Sequence, residues 1–99
     1  MGKFLLLYRS SVEAREQMAG GSPGEAAAGM AAWQAWMETA GEAIVDFGAP
    51  VAGDSDVSGF SILEAPSREE IDTLLTDHPH RHAPGASIDV LEFLPVPGM

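Results

Sequence analysis

All three histidines of this 99-residue chain fall within five positions, at His78, His80 and His82. Imidazole exchanges protons near neutral pH and is a common metal ligand. His78 continues the apolar face of a predicted helix, so we expect it to be either a hydrogen-bonded core residue or a general base beside a cavity. In an extended segment the three rings would share one side, as a zinc site would need. No further ligand is evident, and we predict neither a metal nor a cofactor.

Four other side chains are candidates for a site near these histidines. Tyr8 ends an apolar strand sequence and is either a core aromatic or a phenol donor at a pocket mouth. Asp46 and Glu92 lie among apolar strand residues, where a buried carboxylate would be a candidate acid or base. Trp36 lies beside the apolar stripe of its helix, at a ligand pocket or a subunit interface, whereas Trp33 is expected in the core. The candidate catalytic residues are His78, Asp46 and Tyr8, and the candidate ligand-binding residues are Trp36, His80 and Glu92.

The composition argues against several classes of protein. The net charge is −10, and the five lysines and arginines are scattered, which disfavours nucleic acid and anionic membrane surfaces as partners. Without cysteine there is no disulfide, thiolate metal site or cysteine nucleophile. The apolar run at residues 4–8 is far shorter than the roughly 20 residues that span a bilayer, and it does not have the form of a signal peptide. We therefore expect a single cytoplasmic domain over residues 1–99.

Two helices have clear start signals in the sequence. Ser22 and Glu25 form a capping box around a proline at the first helical position, and this helix is expected to end near Ala40. Ser67 and Glu70 repeat the capping-box spacing at the start of the second helix. Its apolar residues are followed on the same face by His78, and the proline at position 79 is expected to end it.

The predicted elements follow the order β-α-β-β-α-β. Strands are expected at residues 3–9, 43–47, 57–64 and 88–94. Right-handed crossovers place both helices on one face of the sheet, which gives an α+β, ferredoxin-like fold with an antiparallel sheet. The strands carry enough apolar residues for both sheet faces. A second subunit is the simplest cover for the free face, so we expect a homodimer with its sheets packed face to face.

Five segments, in their order along the chain, carry a family resemblance. They are residues 3–8, 30–37, 46–50, 58–65 and 88–93. Together they resemble the YCII-related (YciI-like) family, including its DGPF-domain branch. The resemblance implies a ferredoxin-like domain that pairs into a dimeric α+β barrel. Many members carry a histidine on the first helix, paired with an aspartate in a proposed active site. This first helix has no histidine and the Asp-Gly-Pro-Phe motif is missing, so that site does not transfer by position.

Two classes of function stay open from the sequence. In the first, the domain binds a small organic molecule and acts on it by elimination, isomerisation or cofactor-free oxidation, with His78 as the base. In the second, it is a non-catalytic dimerisation or regulatory binding module. The first predicts a cavity between sheet and helices with His78 at its wall. The second predicts a filled interface and exposed side chains at His80 and His82.

Overall fold

The computed structural model describes residues 2–11, 23–82 and 85–98. The predicted cap at Ser22 and the side chain of His82 lie outside this described part. The strands are β1 (Gly2–Arg9), β2 (Ile44–Asp46), β3 (Val57–Ala65) and β4 (Ser87–Glu92). The helices are α1 (Pro23–Ala40) and α2 (Arg68–Leu74), and short 3-10 helices cover Gly41–Ala43 and Pro79–His82.

The strands form one antiparallel sheet in the order β2-β3-β1-β4. The first strand is central, with Leu6 opposite Ser61 of β3 on one side and opposite Val90 of β4 on the other. This order and direction are those of a ferredoxin-like βαββαβ domain. The predicted α+β fold is therefore confirmed, and Tyr8, near the end of β1, lies between Gly59 of β3 and Ile88 of β4.

Alternation along the two long strands builds the core. Every second residue of β1 is buried, at Phe4, Leu6 and Tyr8, because successive side chains of a strand point to opposite faces. The same alternation buries Leu63 in β3, with a polar residue, Ser61, two positions earlier on the same face. The strand part of the core is thus apolar except where Tyr8 meets Ser61, and the buried histidines His78 and His80 add further polar groups beside it.

The second helix starts as predicted and ends early. Ser67 Oγ accepts the backbone N–H of Glu70 at 3.3 Å, which is the expected cap. The α-helix ends at Leu74, before the proline at position 79, and that proline instead opens the 3-10 helix. Arg81 Nε donates to the carbonyl oxygen of Leu75 at 2.6 Å and satisfies a helix-end acceptor. The histidine segment is therefore wound, so the condition under which the three rings would share one side, an extended backbone, is not met.

The first helix is rotated relative to the prediction. Trp36 is the buried tryptophan, at 5% exposure, whereas Trp33 is only partly buried. The apolar stripe predicted from three- and four-residue spacing runs through Met30, Trp33 and Met37, but Met30 and Met37 are 62% and 38% exposed. The rotation lets the indole N–H of Trp36 donate to the carbonyl oxygen of Leu74 at 2.9 Å, which satisfies a buried donor.

The sheet face opposite the helices is also apolar. Leu5, Leu7, Phe60 and Ile62 project from this outer face and are half-buried, and Leu91 of the edge strand is exposed. Their positions follow from the same alternation that buries the inner set. Among the described residues, no helix has the length and apolar character needed to cross a bilayer.

Candidate active site

His78 lies at the centre of an aromatic cluster. Its side chain is 0% exposed, and its ring centroid lies 4.3 Å from that of Trp36, 4.7 Å from Trp33 and 4.9 Å from Tyr8. Burial removes water from the imidazolium form, and His80 and Arg81 disfavour that form further. Together they lower the pKa of His78 to about 3. The ring is therefore neutral at physiological pH.

A chain of hydrogen bonds with one direction runs through this cluster. It begins at the backbone N–H of His80, which donates to Nδ1 of His78 at 3.0 Å. It ends at the carbonyl oxygen of Phe47, which accepts from Ser61 Oγ at 2.6 Å. The Ser61 hydroxyl has one proton and donates it to that carbonyl. Ser61 Oγ can therefore only accept from the Tyr8 hydroxyl, which donates to it at 2.7 Å. The Nε2–H of His78 then donates to the Tyr8 hydroxyl oxygen, at 3.1 Å.

The two end groups of this hydrogen-bond chain fix the position of every proton within it. A backbone N–H can only donate and a carbonyl can only accept, so the sequence of donors cannot reverse. His78 is accordingly held as the neutral Nε2–H tautomer, with its lone pair on Nδ1 already paired. Burial also raises the pKa of Tyr8 to about 12, so its hydroxyl stays protonated. These are the partners of a hydrogen-bonded core histidine, one of the two expectations for His78.

A pocket of about 330 Å³ lies beside this hydrogen-bond chain. Its lining is largely aromatic or small and apolar: Tyr8, Met30, Trp33, Phe47, Gly48, Ala49, Pro50, Ser58, Phe60 and His80. Three of these residues, Tyr8, Phe47 and His80, also belong to the hydrogen-bonded chain. His78 is not among the described lining residues and lies behind Tyr8 and Trp33. The buried hydrogen-bond chain thus connects three residues of the pocket wall.

His80 lines this pocket and has one ring nitrogen without a hydrogen bond among the described residues. Its Nε2 lies 2.7 Å from the carbonyl oxygen of Arg9, so Nε2 carries the proton and the lone pair of the neutral ring is on Nδ1. Within the described part of the chain, Nδ1 has no hydrogen-bond partner. None of the described side chains has a nitrogen or oxygen that is both buried and unpaired, so this nitrogen reaches solvent. His80 is therefore the histidine placed to meet a ligand.

Asp46 holds the turn that forms one pocket wall. Its Oδ1 accepts the backbone N–H of Gly48 at 2.8 Å, and its side chain is exposed. Gly48 has a φ of 84°, and a Cβ there would lie 1.7 Å from the carbonyl oxygen of Phe60, so only glycine fits. Asp46 is next to the wall residue Phe47 but does not line the pocket itself.

The two other predicted ligand-binding residues do not line the pocket. Trp36 belongs to the aromatic cluster, where it is buried against Leu74 and His78, but it is not among the described lining residues. Glu92 is exposed at the end of the edge strand β4, opposite Phe4. Sequence reasoning missed Ser61, although a lone serine on the apolar face of β3 was a usable signal. The structure therefore brings together four of the six predicted residues: Tyr8, Trp36, His78 and His80.

Charged side chains are kept away from the pocket lining. Arg9 Nε contacts Asp89 Oδ2 at 2.6 Å, and its Nη1 pairs with Asp56, and these two carboxylates raise the pKa of the guanidinium. Apart from Tyr8 and His80, no described lining residue carries a titratable side chain. The described residues contain no group of three or more histidines or carboxylates arranged to hold a metal ion.

Comparison with known proteins identifies the fold. No protein-family model matches the chain, and no curated protein sequence does. A similar solved structure is 5-chloro-2-hydroxyhydroquinone dehydrochlorinase (TftG) from Burkholderia phenoliruptrix AC1100, in complex with 2,5-dihydroxybenzoquinone. The two chains are 20% identical, with a TM-score of 0.62 and coverage of 93% of each chain. This likeness establishes that the chain has the antiparallel α+β fold of that protein.

Proposed function

We propose that this chain is a YCII-like protein that binds a small hydroxylated aromatic molecule in the pocket beside His80, and that Nδ1 of His80 is its general base. The observation that carries the proposal is the unpaired lone pair of His80 at the wall of an aromatic pocket. The fold likeness to a dehydrochlorinase that was solved with a dihydroxybenzoquinone supports a ring-shaped ligand. His78, first expected to be the base, is proposed instead to position Tyr8 and His80.

The size and walls of the pocket suit a planar molecule. Its volume of about 330 Å³ is at the lower end of the roughly 300–1,000 Å³ typical of small-molecule sites. Trp33 lies edge-on to both Tyr8 and Phe47, with ring centroids 5.4 Å and 5.8 Å apart. Rings fixed at such angles provide both faces and edges against which a single aromatic ring packs.

The proposed chemical step is a proton transfer to His80. A substrate O–H bond, or an acidic C–H bond, breaks, its electron pair stays on the substrate, and the proton joins Nδ1. The resulting imidazolium keeps its Nε2–H bond to the Arg9 carbonyl, and this hydrogen bond becomes stronger once the ring is charged. Elimination, isomerisation and cofactor-free oxidation of a small organic substrate can all begin with this step.

The outer sheet face is proposed to pair two copies of the chain. Leu5, Leu7, Phe60 and Ile62 form a contiguous apolar surface with Leu91 at its edge. Burying such a surface against its copy would remove apolar area from water. Native mass spectrometry tests this: the wild type should be a dimer, and Leu7→Glu should be a monomer. A monomeric wild type would contradict the pairing.

Ligand binding tests the proposed function. Trp33 is at the pocket wall, so its fluorescence should change when hydroquinone is titrated into the protein. His80→Phe should lower hydroquinone affinity at least tenfold, whereas Glu69→Gln, an exposed change on α2, should leave it unchanged. Saturable binding that is equally strong in His80→Phe would contradict the assigned site. Turnover assays with a ring-chlorinated hydroquinone then separate an enzyme from the alternative, a non-catalytic binding module.

A further inference from the structure

The polar side chains that line the pocket have already donated their protons to the protein. Ser58 Oγ donates to the carbonyl oxygen of Tyr8 at 3.1 Å, and Tyr8 donates to Ser61 at 2.7 Å. His80 donates from Nε2 to the carbonyl oxygen of Arg9 at 2.7 Å. Each acceptor at the far end is held by the fold, so these protons are not available to a ligand. The lone pairs of Ser58 Oγ and of His80 Nδ1 remain.

Two backbone donors at the pocket are also occupied. The N–H of Gly48 donates to Asp46, and the N–H of Phe60 donates to the carbonyl oxygen of Ala49 at 3.3 Å. Pro50 has no N–H. Among the described lining side chains, the indole N–H of Trp33 is the one donor without a hydrogen-bond partner. The polar side chains described at the pocket therefore offer mainly acceptors to a ligand.

We infer that this pocket selects aromatic ligands that carry O–H groups, and so favours a hydroquinone over its ethers. This rests on the proposed function, because it concerns the ligand of the same pocket. A ligand hydroxyl pairs with the lone pair of His80 or Ser58. An ether or carbonyl oxygen at the same place is itself an acceptor, so neither it nor the protein lone pair gains a hydrogen bond. A site built for hydrogen bonding binds such a ligand much more weakly.

The absence of a charged group from the described lining extends the same preference. An anionic ligand would lose its hydration on entering the pocket and would find no cation there to compensate for that loss. Arg9 is already paired with Asp56 and Asp89. The net charge of −10 also repels anions at a distance. The favoured ligand is thus a neutral phenol, which gives up its proton only to His80.

A graded set of ligands tests this selectivity. Hydroquinone, 4-methoxyphenol and 1,4-dimethoxybenzene share a ring and a para spacing, and they carry two, one and no O–H groups. We expect hydroquinone to bind at least tenfold more tightly than 1,4-dimethoxybenzene, with 4-methoxyphenol between them. If all three bind equally and change Trp33 fluorescence, the selectivity is overturned while the proposed pocket stands. If none of them binds, both are overturned.

Two variants assign the selectivity to the acceptors. His80→Phe and Ser58→Ala each remove one lone pair, so each should reduce the ratio of the hydroquinone and dimethoxybenzene affinities, and His80→Phe should bring it to within about threefold of unity. A partly unfolded variant would lower both affinities together and leave the ratio unchanged, so the ratio isolates recognition from folding. If His80→Phe does not fold, Ser58→Ala still decides the point. A ratio that stays at the wild-type value in every folded variant would overturn the inference.

Discussion

Nε2 of His78 donates its proton to the hydroxyl oxygen of Tyr8, 3.1 Å away, and the Tyr8 hydroxyl does not donate to His78. Tyr8 passes its own proton on to Ser61, so the direction of the pair is fixed by groups outside it. The arrangement uses both ring nitrogens of His78 to hold Tyr8 and the main chain of His80. His78 therefore contacts the pocket only through its neighbours, and in the proposed function His80 is the histidine that meets the ligand.

Removing the Tyr8 hydroxyl should destabilise the fold. Tyr8→Phe leaves the Nε2–H of His78 buried without an acceptor, which costs about 1–3 kcal/mol. The free energy of unfolding in urea measures this loss. Thr39→Ala, which removes an exposed hydroxyl bonded to its own helix at the Ala35 carbonyl, is the matched control and should change stability by less than about 0.5 kcal/mol. Equal stability of Tyr8→Phe and wild type would show that the buried hydrogen-bond chain contributes nothing to the free energy of unfolding.

The tautomer of His78 can be observed directly. The Nε2–H form should persist between pH 5 and 8 in nitrogen NMR spectra, because the Nδ1 lone pair is held by the His80 amide and the pKa lies at about 3. A His78 ring that titrates near its ordinary pKa would contradict the buried, neutral assignment. So would the Nδ1–H tautomer.

Stability should fall on acidification because of His78. Its pKa is about 3 in the folded chain and about 6.5 when unfolded, so between these values the unfolded chain binds a proton that the folded chain does not. The free energy of unfolding therefore falls as pH falls from 6.5 towards 3, by up to about 1.4 kcal/mol per pH unit from this one group.

His78→Asn isolates that contribution. Asparagine does not titrate, so urea unfolding at pH 6.5 and pH 5 should show a stability gap between wild type and variant that narrows by about 1.6 kcal/mol. Carboxylates titrate in both proteins and cancel from the difference. A gap that is constant with pH would contradict the buried neutral histidine.

Asp46 should act through its hydrogen bond and not through its charge. Asp46→Asn keeps an oxygen acceptor for the N–H of Gly48 and should preserve both stability and hydroquinone binding. Asp46→Ala removes the acceptor and should cost about 0.5–1.5 kcal/mol, with weaker binding because the wall at Phe47 loosens. Loss of all activity in a stable Asp46→Asn would instead indicate a carboxylate that takes part in the reaction.

The sequence predicts the elements better than their rotation. The Ser67–Glu70 spacing located the start of α2, and alternation in β1 and β3 gave the buried face, because both signals depend on near neighbours in the chain. The rotation of α1 was not predictable in the same way. This helix is rich in alanine, so several of its faces can pack, and the tertiary bond from Trp36 to Leu74 decides between them.

The site was predicted in part, and the roles within it were not. His78, His80 and Tyr8 do meet, since the first two are close in sequence and the third ends the central strand. Which histidine keeps a free lone pair depends on backbone partners, the His80 amide and the Arg9 carbonyl. No side-chain pattern encodes those contacts, so His78 could be taken for the base.

The most direct test of the account follows the histidine ring nitrogens while hydroquinone is added to histidine-labelled protein. We expect Nδ1 of His80 to shift as it accepts a ligand hydroxyl, while the His78 nitrogens stay unchanged behind Tyr8. A shift at His78 with none at His80 would contradict the assigned base. A saturating titration that moves neither ring would contradict the site itself.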